Sequence, residues 1–158
     1  MIVVSDTSPL SNLLMIDRLD LLRSMFGTVM IPSAVEAELD VIPRHRQEIF
    51  DHDWISVVEI SDRALFQTLR QTLDRGEAEA ITLSIELGSD YLLIDERAGR
   101  LEARDRGIRL IGVVGILVEA KRRGLIELVK PEIDKLLLDA RFRLTPQLVV
   151  EVLESVDE

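Results

Sequence analysis

The chain has 158 residues, contains no cysteine and carries a formal net charge of −10 at pH 7. Its length suits a single domain with a substantial core, and the lack of cysteine excludes disulfides, thiol nucleophiles and cysteine-ligated zinc. The negative charge argues against a protein that coats nucleic acid through bulk electrostatics, and 4% aromatic residues leave few platforms for base stacking.

The sequence favours a cytoplasmic protein without a membrane segment. No basic start or cleavage pattern follows Met1, and no apolar run approaches the roughly 20 residues that a membrane span needs. The absence of cysteine suits a reducing compartment. We therefore expect a soluble, intracellular chain.

The first half of the chain predicts short strands that alternate with helices. A buried strand at residues 2–4 ends in polar residues 5–8, which can cap a helix that has Pro9 in its first turn. Further along, the pattern predicts a helix over 19–26, a strand over 28–31, a helix from Pro32, a loop or helix break at 43–46, a strand over 54–58, and a helix from Ser61 to about Leu73.

The second half repeats this alternation. A helix that opens with Glu77 and Glu79 leads to an apolar strand at 91–94, which ends in Asp95 and Glu96. The remaining pattern predicts helices over 98–106 and 114–121, a strand over 108–111 between them, and two final helices over 131–139 and 145–155. Strands alternating with helices predict an α/β fold with a parallel sheet and helices on its faces.

Four acids fall at the ends of predicted elements: Asp6, Glu38, Glu77 and Asp95, with Glu79 and Glu96 as near alternatives. The carboxyl ends of parallel strands meet at one sheet edge, where α/β folds place their chemistry. Two carboxylates about 4 Å apart repel by roughly 4 kcal/mol at an effective dielectric of about 20. Converging acids therefore favour a bound cation, and Mg²⁺ or Mn²⁺ prefers oxygen ligands.

Each acid also has a purely structural interpretation. Asp6, with Thr7 and Ser8, can serve only to cap a helix, and Glu77 can serve only to complement a helix dipole. The position of any single acid does not show whether it caps a helix or binds a metal. Their joint placement on one predicted edge favours a site.

Four short motifs contain the candidate acids: VSDTS at 4–8, IPSAVEAEL at 31–39, GEAEA at 76–80 and LIDER at 93–97. In order and spacing they resemble the motifs of PIN-domain proteins, closest to a prokaryotic branch related to VapC-type toxins. The resemblance covers about residues 1–125, and the helices after 130 look like the C-terminal extension of that branch. Two details differ from many relatives: Glu77 stands where Asp is common, and Leu93 replaces the usual Thr.

The resemblance implies a three-layer α/β/α fold with a mainly parallel central sheet and extra C-terminal helices. Residues 1–125 would form the PIN-like domain, and residues 126–158 a helical extension packed on it. The implied activity is an Mg²⁺- or Mn²⁺-dependent endoribonuclease that hydrolyses RNA with an activated water. Carried over by position, the catalytic metal ligands are Asp6, Glu38, Glu77 and Asp95, with Glu79 and Glu96 as second choices.

The expected partners follow from the same resemblance and from the apolar C-terminal helices. VapC-like proteins are usually toxins held inactive by a small antitoxin protein, so such a partner is implied. The apolar residues of the last two helices favour a homodimer, or a surface that these helices cover within one chain.

Arg97, Arg100 and Arg104 recur at helical spacing beside Asp95 and are candidates for binding RNA phosphates. The alternative for these arginines is a solvated face paired with Glu96 and Glu102. The alternative for the whole chain is a PIN-like module that binds RNA or protein without hydrolysis.

Overall fold

The computed structural model describes the backbone of residues 1–158 and every side chain except those of Pro43 and Arg44. The strands are β1 (Val3–Ser5), β2 (Val29–Pro32), β3 (Ile55–Val58), β4 (Tyr91–Leu93) and β5 (Leu110–Ile111). The helices are α1 (Thr7–Met15), α2 (Asp20–Phe26), α3 (Ser33–Asp40), α4 (Pro43–Phe50), α5 (Arg63–Leu69), α6 (Arg75–Leu87), α7 (Arg97–Asp105), α8 (Val113–Arg122), α9 (Lys130–Leu138) and α10 (Pro146–Ser155).

The five strands form one sheet in the order β3-β2-β1-β4-β5, and every neighbouring pair is parallel. From β1 the chain builds outwards to β2 and β3, then crosses to the other side of β1 to add β4 and β5. Strand order therefore reverses between β1 and β4. In open α/β sheets, the crevice beyond the carboxyl ends of the strands at such a reversal is the usual ligand site.

Successive side chains of each strand pack into two different hydrophobic cores, because they point to opposite faces of the sheet. Val3 and Leu93 pack on one face with α1, α2, α8 and α9, whereas Val4 and Leu92 pack on the other with α5, α6 and α7. Both faces of the sheet are thus covered by helices. The predicted three-layer α/β/α fold is confirmed.

The C-terminal helices belong to the first of these cores. Ile133 and Leu136 of α9 are fully buried, and Val156 just after α10 is 7% exposed within the same cluster. Val152 and Leu153 of α10 pack against it. Among the described residues, no helix combines the length and the apolar character needed to cross a bilayer.

Two local predictions differ from the structure. Residues 43–46, predicted as a loop or helix break, begin α4, because proline at the first position of a helix needs no backbone N–H partner there. The helix predicted to reach Leu73 ends at Leu69. A hydrogen bond from the Arg70 guanidinium to the Leu73 carbonyl then helps to hold the turn before α6.

Candidate active site

Asp6 and Asp95 leave the sheet at the point where strand order reverses. β1 and β4 are neighbours in register, with Ser5 opposite Leu93, and the Asp6 backbone N–H donates to the Leu93 carbonyl over 2.9 Å. Both acids therefore follow the carboxyl ends of adjacent parallel strands, as their positions in the sequence predict.

Asp6 is 3% exposed, and this burial raises the pKa of its carboxyl group from 3.8 to about 8. The Thr7 backbone N–H opposes the rise, and the negative charges of Glu77, Asp74 and Glu38 add to it. Although Asp6 occupies the N-cap position of α1, its side chain makes no capping hydrogen bond. Capping therefore does not account for this aspartate, and its surroundings favour a proton or a cation on it.

Glu38 is carried on the last turn of α3 and is held from two sides. The Thr7 hydroxyl donates a hydrogen bond to Glu38 Oε2. On the other side, Gly76 of α6 leaves the space in which the carboxylate lies, since a Cβ on Gly76 would stand 2.5 Å from Glu38 Oε1. Thr7 and Gly76 thus fix the position of this glutamate.

Glu77 forms a capping box with Asp74 at the start of α6. Asp74 Oδ1 accepts from the Glu77 backbone N–H over 2.8 Å, and Glu77 Oε2 accepts from the Asp74 backbone N–H over 3.2 Å. Burial and the charge of Asp74 raise the pKa of Glu77; the Asp74 N–H opposes this rise, and the charges of Glu96 and Glu38 add to it. Glu77 therefore caps its helix through one oxygen and also belongs to the group of acids.

Asp95 is also fixed through one oxygen. Its Oδ1 accepts from the Val113 backbone N–H over 3.0 Å, and its Oδ2 is buried without a hydrogen-bond partner among the described residues. Burial raises the pKa of Asp95 to about 6; the Val113 N–H and the charge of Arg100 oppose the rise, and the charge of Glu96 adds to it. A buried carboxylate oxygen without a hydrogen-bond partner is stabilised when it binds a proton or a cation.

We call Asp6, Glu38, Glu77 and Asp95 the acidic site. Three of them, Asp6, Glu38 and Glu77, lie close enough for their charges to interact, while Asp95 is linked to Glu77 through Glu96, whose charge acts on both. As the side chains stand, no three His, Asp or Glu residues in the described part of the chain are grouped so as to hold a metal ion.

The chemistry of the acidic site fits Mg²⁺ or Mn²⁺. Its donors are carboxylate oxygens, which these hard cations prefer. Within the described residues, the hydrogen bonds to Glu38, Glu77 and Asp95 occupy one oxygen of each, so the second oxygen is not committed to the protein. Because these carboxylates are partly or fully buried and repel one another, a bound cation would stabilise their ionised forms.

Asp74 is the site residue that the sequence reasoning missed. Its charge raises the pKa of both Asp6 and Glu77. The D-x-x-E spacing of Asp74 and Glu77 is a capping-box pattern. This pattern predicts that α6 begins directly after Asp74, and it identifies Asp74 as a neighbour of Glu77.

Glu79, the competitor of Glu77, serves a different purpose. Its side chain is 3% exposed, and its Oε2 accepts from the Ala34 backbone N–H over 2.6 Å at the start of α3. The Arg63 guanidinium lies 3.9 Å from Oε1. Glu79 therefore ties α6 to α3, and the acids whose charges raise the pKa values of Asp6 and Glu77 do not include it.

The three arginines of α7 occupy different settings. Arg97 and Arg104 are exposed, whereas Arg100 is half-buried and donates to the Ile94 carbonyl over 2.7 Å. Glu102 pairs with Arg106 over 3.0 Å rather than with Arg104. Arg100 is thus already engaged beside Asp95, and Arg97 and Arg104 remain candidates for an exposed anion contact.

A parallel sheet between two helical layers, with carboxylates where its strand order reverses, is consistent with the fold of PIN domains. The family model described as DUF3368: PIN domain matches residues 2–158, so the chain belongs to this family. PIN domains are generally nucleases, which supports a hydrolase at that coarse level. A search of curated proteins gives no match to this chain.

Proposed function

We propose that the protein is a metal-dependent endoribonuclease that hydrolyses phosphodiester bonds of RNA. The observation that carries this proposal is Asp6, a buried carboxyl group at the reversal of strand order with its pKa raised to about 8 by burial and by neighbouring acids. Ionisation of this group opposes folding unless a proton or a cation offsets its charge, and carboxyl groups with strongly perturbed pKa values are typical of catalytic sites.

Asp6, Glu38, Glu77 and Asp95 would hold Mg²⁺ or Mn²⁺. When bound, such an ion supplies positive charge at the scissile phosphate and lowers the pKa of an attacking water. The chain's own contribution is positioning. Thr7 holds Glu38, and the Val113 N–H holds Asp95, so two of the carboxylates are oriented before any substrate arrives.

The raised pKa of Asp6 supports a proton exchange at this carboxyl group. Without a cation, Asp6 holds a proton over much of the neutral range, and a cation in the acidic site would displace it. The family resemblance extends the proposal from nucleases in general to RNA as the substrate.

The direct test is cleavage of structured and unstructured RNA by the purified protein with Mn²⁺. The wild type should cleave, and Asp6→Asn and Asp95→Asn should lose at least about a hundredfold in rate, because each removes a charged metal ligand. Glu79→Gln is the matched control, since it alters a buried glutamate that binds the protein backbone. Absence of cleavage by the wild type, or equal cleavage by the Asn variants, would refute the proposal.

A toxin–antitoxin role and a homodimer are finer proposals. Exposed apolar residues on the last two helices support a protein partner, among them Leu138 at 80% and Val150 at 53% exposure. Co-purification of a small protein with the chain would support an antitoxin, whereas light scattering at twice the chain mass would support a homodimer. A monomer that is harmless when expressed alone would contradict both.

The second candidate is a PIN-like module that binds RNA or protein without hydrolysis. It is favoured by one observation, that the acids in the described part of the chain are not already gathered into a metal-holding group. RNA binding without cleavage, together with no heat of Mn²⁺ binding, would select this candidate over the nuclease.

A further inference from the structure

The connection between α9 and α10 lies beside Asp95, the member of the acidic site that follows β4. We call residues 140–144 of this connection the strap. A cavity of about 460 Å³ separates the strap from the end of β4, with Asp95 and Glu96 on one wall and Arg141 and Arg143 on the other. The C-terminal extension, which comes latest in the chain, thus supplies the cationic wall of a crevice whose acids come from the sheet.

An aromatic residue fixes the strap between its two arginines. Phe142 packs against the core on the α1 side of the sheet, and its backbone N–H donates to the Leu136 carbonyl over 2.9 Å. Because Phe142 is held at both its ring and its backbone, Arg141 and Arg143 on either side of it are carried on an anchored segment.

Arg141 has a backbone conformation that its side chain does not favour. Its φ is +52°, in the left-handed region that glycine adopts freely and other L-residues adopt at a cost of about 1 kcal/mol. Glycine at this position would adopt the same backbone conformation at a lower conformational cost. An arginine there points to a function for the guanidinium.

Both guanidinium groups are available to an anion. Arg141 and Arg143 are exposed, and neither makes an ion pair or a hydrogen bond with the described side chains, including the acids across the cavity. Arg100, by contrast, is engaged with the Ile94 carbonyl. An arginine fork matches phosphate oxygens in a bidentate geometry, so two free arginines that share a cavity with Asp95 suit a phosphodiester beside this acid.

We propose that Arg141 and Arg143 bind backbone phosphates of RNA beside Asp95 of the acidic site. This inference deepens the proposed function and assigns the substrate contact to the strap in addition to α7. The two arginines are positioning residues for the RNA chain, and the acidic site, of which Asp95 lines the cavity, carries the chemistry.

The test is RNA binding without cleavage. Affinity for a fluorescein-labelled single-stranded RNA oligonucleotide would be measured by anisotropy in EDTA for the wild type, Arg141→Gly and Arg143→Ala. Each variant should bind roughly tenfold more weakly, as expected for loss of a charge-assisted hydrogen bond. A plot of the logarithm of affinity against the logarithm of salt concentration should become shallower by about 0.7 for each arginine removed.

Two controls separate this effect from unfolding and from net charge. Arg141→Gly relieves the left-handed backbone, so its melting temperature should equal or exceed that of the wild type. Arg109→Ala removes the same charge from an exposed arginine just before β5. Arg109 lies at the amino end of its strand, whereas Asp95 follows the carboxyl end of β4, so this variant should leave RNA affinity unchanged.

The outcomes distinguish this inference from the proposed function. If the wild type cleaves RNA with Mn²⁺ but Arg141→Gly and Arg143→Ala match Arg109→Ala in affinity and salt dependence, the strap contact is wrong and the nuclease stands. If RNA binding depends on the strap but no cleavage occurs, the contact stands and the nuclease is wrong. If the wild type does not bind RNA in EDTA, the strap contact is wrong, and if it also fails to cleave RNA with Mn²⁺, the nuclease is wrong as well.

Discussion

At the scale of single residues, the ionisation of Asp6 is strongly disfavoured in the folded chain. Its carboxyl group is buried, and every acid whose charge contributes to its shift raises its pKa. The Thr7 backbone N–H is the opposing influence, and it does not restore an ordinary pKa. The folded protein therefore binds a proton at Asp6 across a pH range in which the unfolded chain has released it.

This difference predicts how stability depends on pH in the absence of metal. Because the folded pKa is about 8 and the unfolded value is 3.8, raising the pH through this window favours unfolding. The free energy of unfolding, measured by urea titration in EDTA, should fall between pH 5 and pH 8 by at most about 1.4 kcal/mol per pH unit. Asp6→Asn should remove most of this decline, and an equal slope in both proteins would contradict the account.

Gly76 gives a second prediction at this scale. In Gly76→Ala the new Cβ would stand 2.5 Å from Glu38 Oε1, so the carboxylate must move away. Since only the end of a flexible side chain moves, the free energy of unfolding should stay within about 1 kcal/mol of the wild type, whereas RNA cleavage should fall by roughly tenfold or more.

Gly115→Ala in α8 is the control, because its Cβ would meet Ile111 rather than an acid. Urea titration and the Mn²⁺-dependent cleavage rate would be measured for both variants. Full activity in Gly76→Ala with an intact fold would show that the position of Glu38 does not matter.

At the scale of elements, α6 directs its two glutamates to different tasks. Glu77 and Glu79 are two residues apart, which places them about 200° apart around a helix. Glu77 therefore meets Asp74 and the acidic site, while Glu79 meets the first turn of α3. Sequence proximity left these two acids as competitors, and the helical period separates them.

Substitutions at Glu79 test this division of roles. Glu79→Ala leaves the buried Ala34 N–H without its acceptor and should lower the free energy of unfolding by about 1–3 kcal/mol, whereas Glu79→Gln keeps an acceptor oxygen and should cost less. Both variants should cleave RNA at the wild-type rate under conditions where they are folded. Loss of cleavage in a folded Glu79→Gln protein would instead make Glu79 a ligand.

The elements differed in how well the sequence predicted them. Alternating apolar segments predicted all five strands, because buried parallel strands form short apolar runs. Helix α4 was not predicted, because residues 43–46 were interpreted as a loop or helix break, whereas the place of Pro43 at the first helical position favours a helix. Asp74 was missed because its role depends on the capping box rather than on a strand end.

At the scale of the whole molecule, the placement of the acids follows from topology. The order of strands places Asp6 and Asp95 after neighbouring strands although 88 residues lie between them, and helices α3 and α6 carry Glu38 and Glu77. This part was predictable, because parallel strands with right-handed crossovers share one carboxyl edge. The strap was not, since the path of residues 140–144 depends on tertiary packing of Phe142.

The most direct test of the central claim is calorimetric titration of the metal-free protein with Mn²⁺. The wild type should bind Mn²⁺, and Asp6→Asn should weaken binding by at least about tenfold, because it removes a carboxylate from the acidic site. Glu79→Gln should bind as the wild type does, since its side chain holds α3 rather than the site. No detectable binding by the wild type, or equal binding by Asp6→Asn, would contradict a metal site built on these acids.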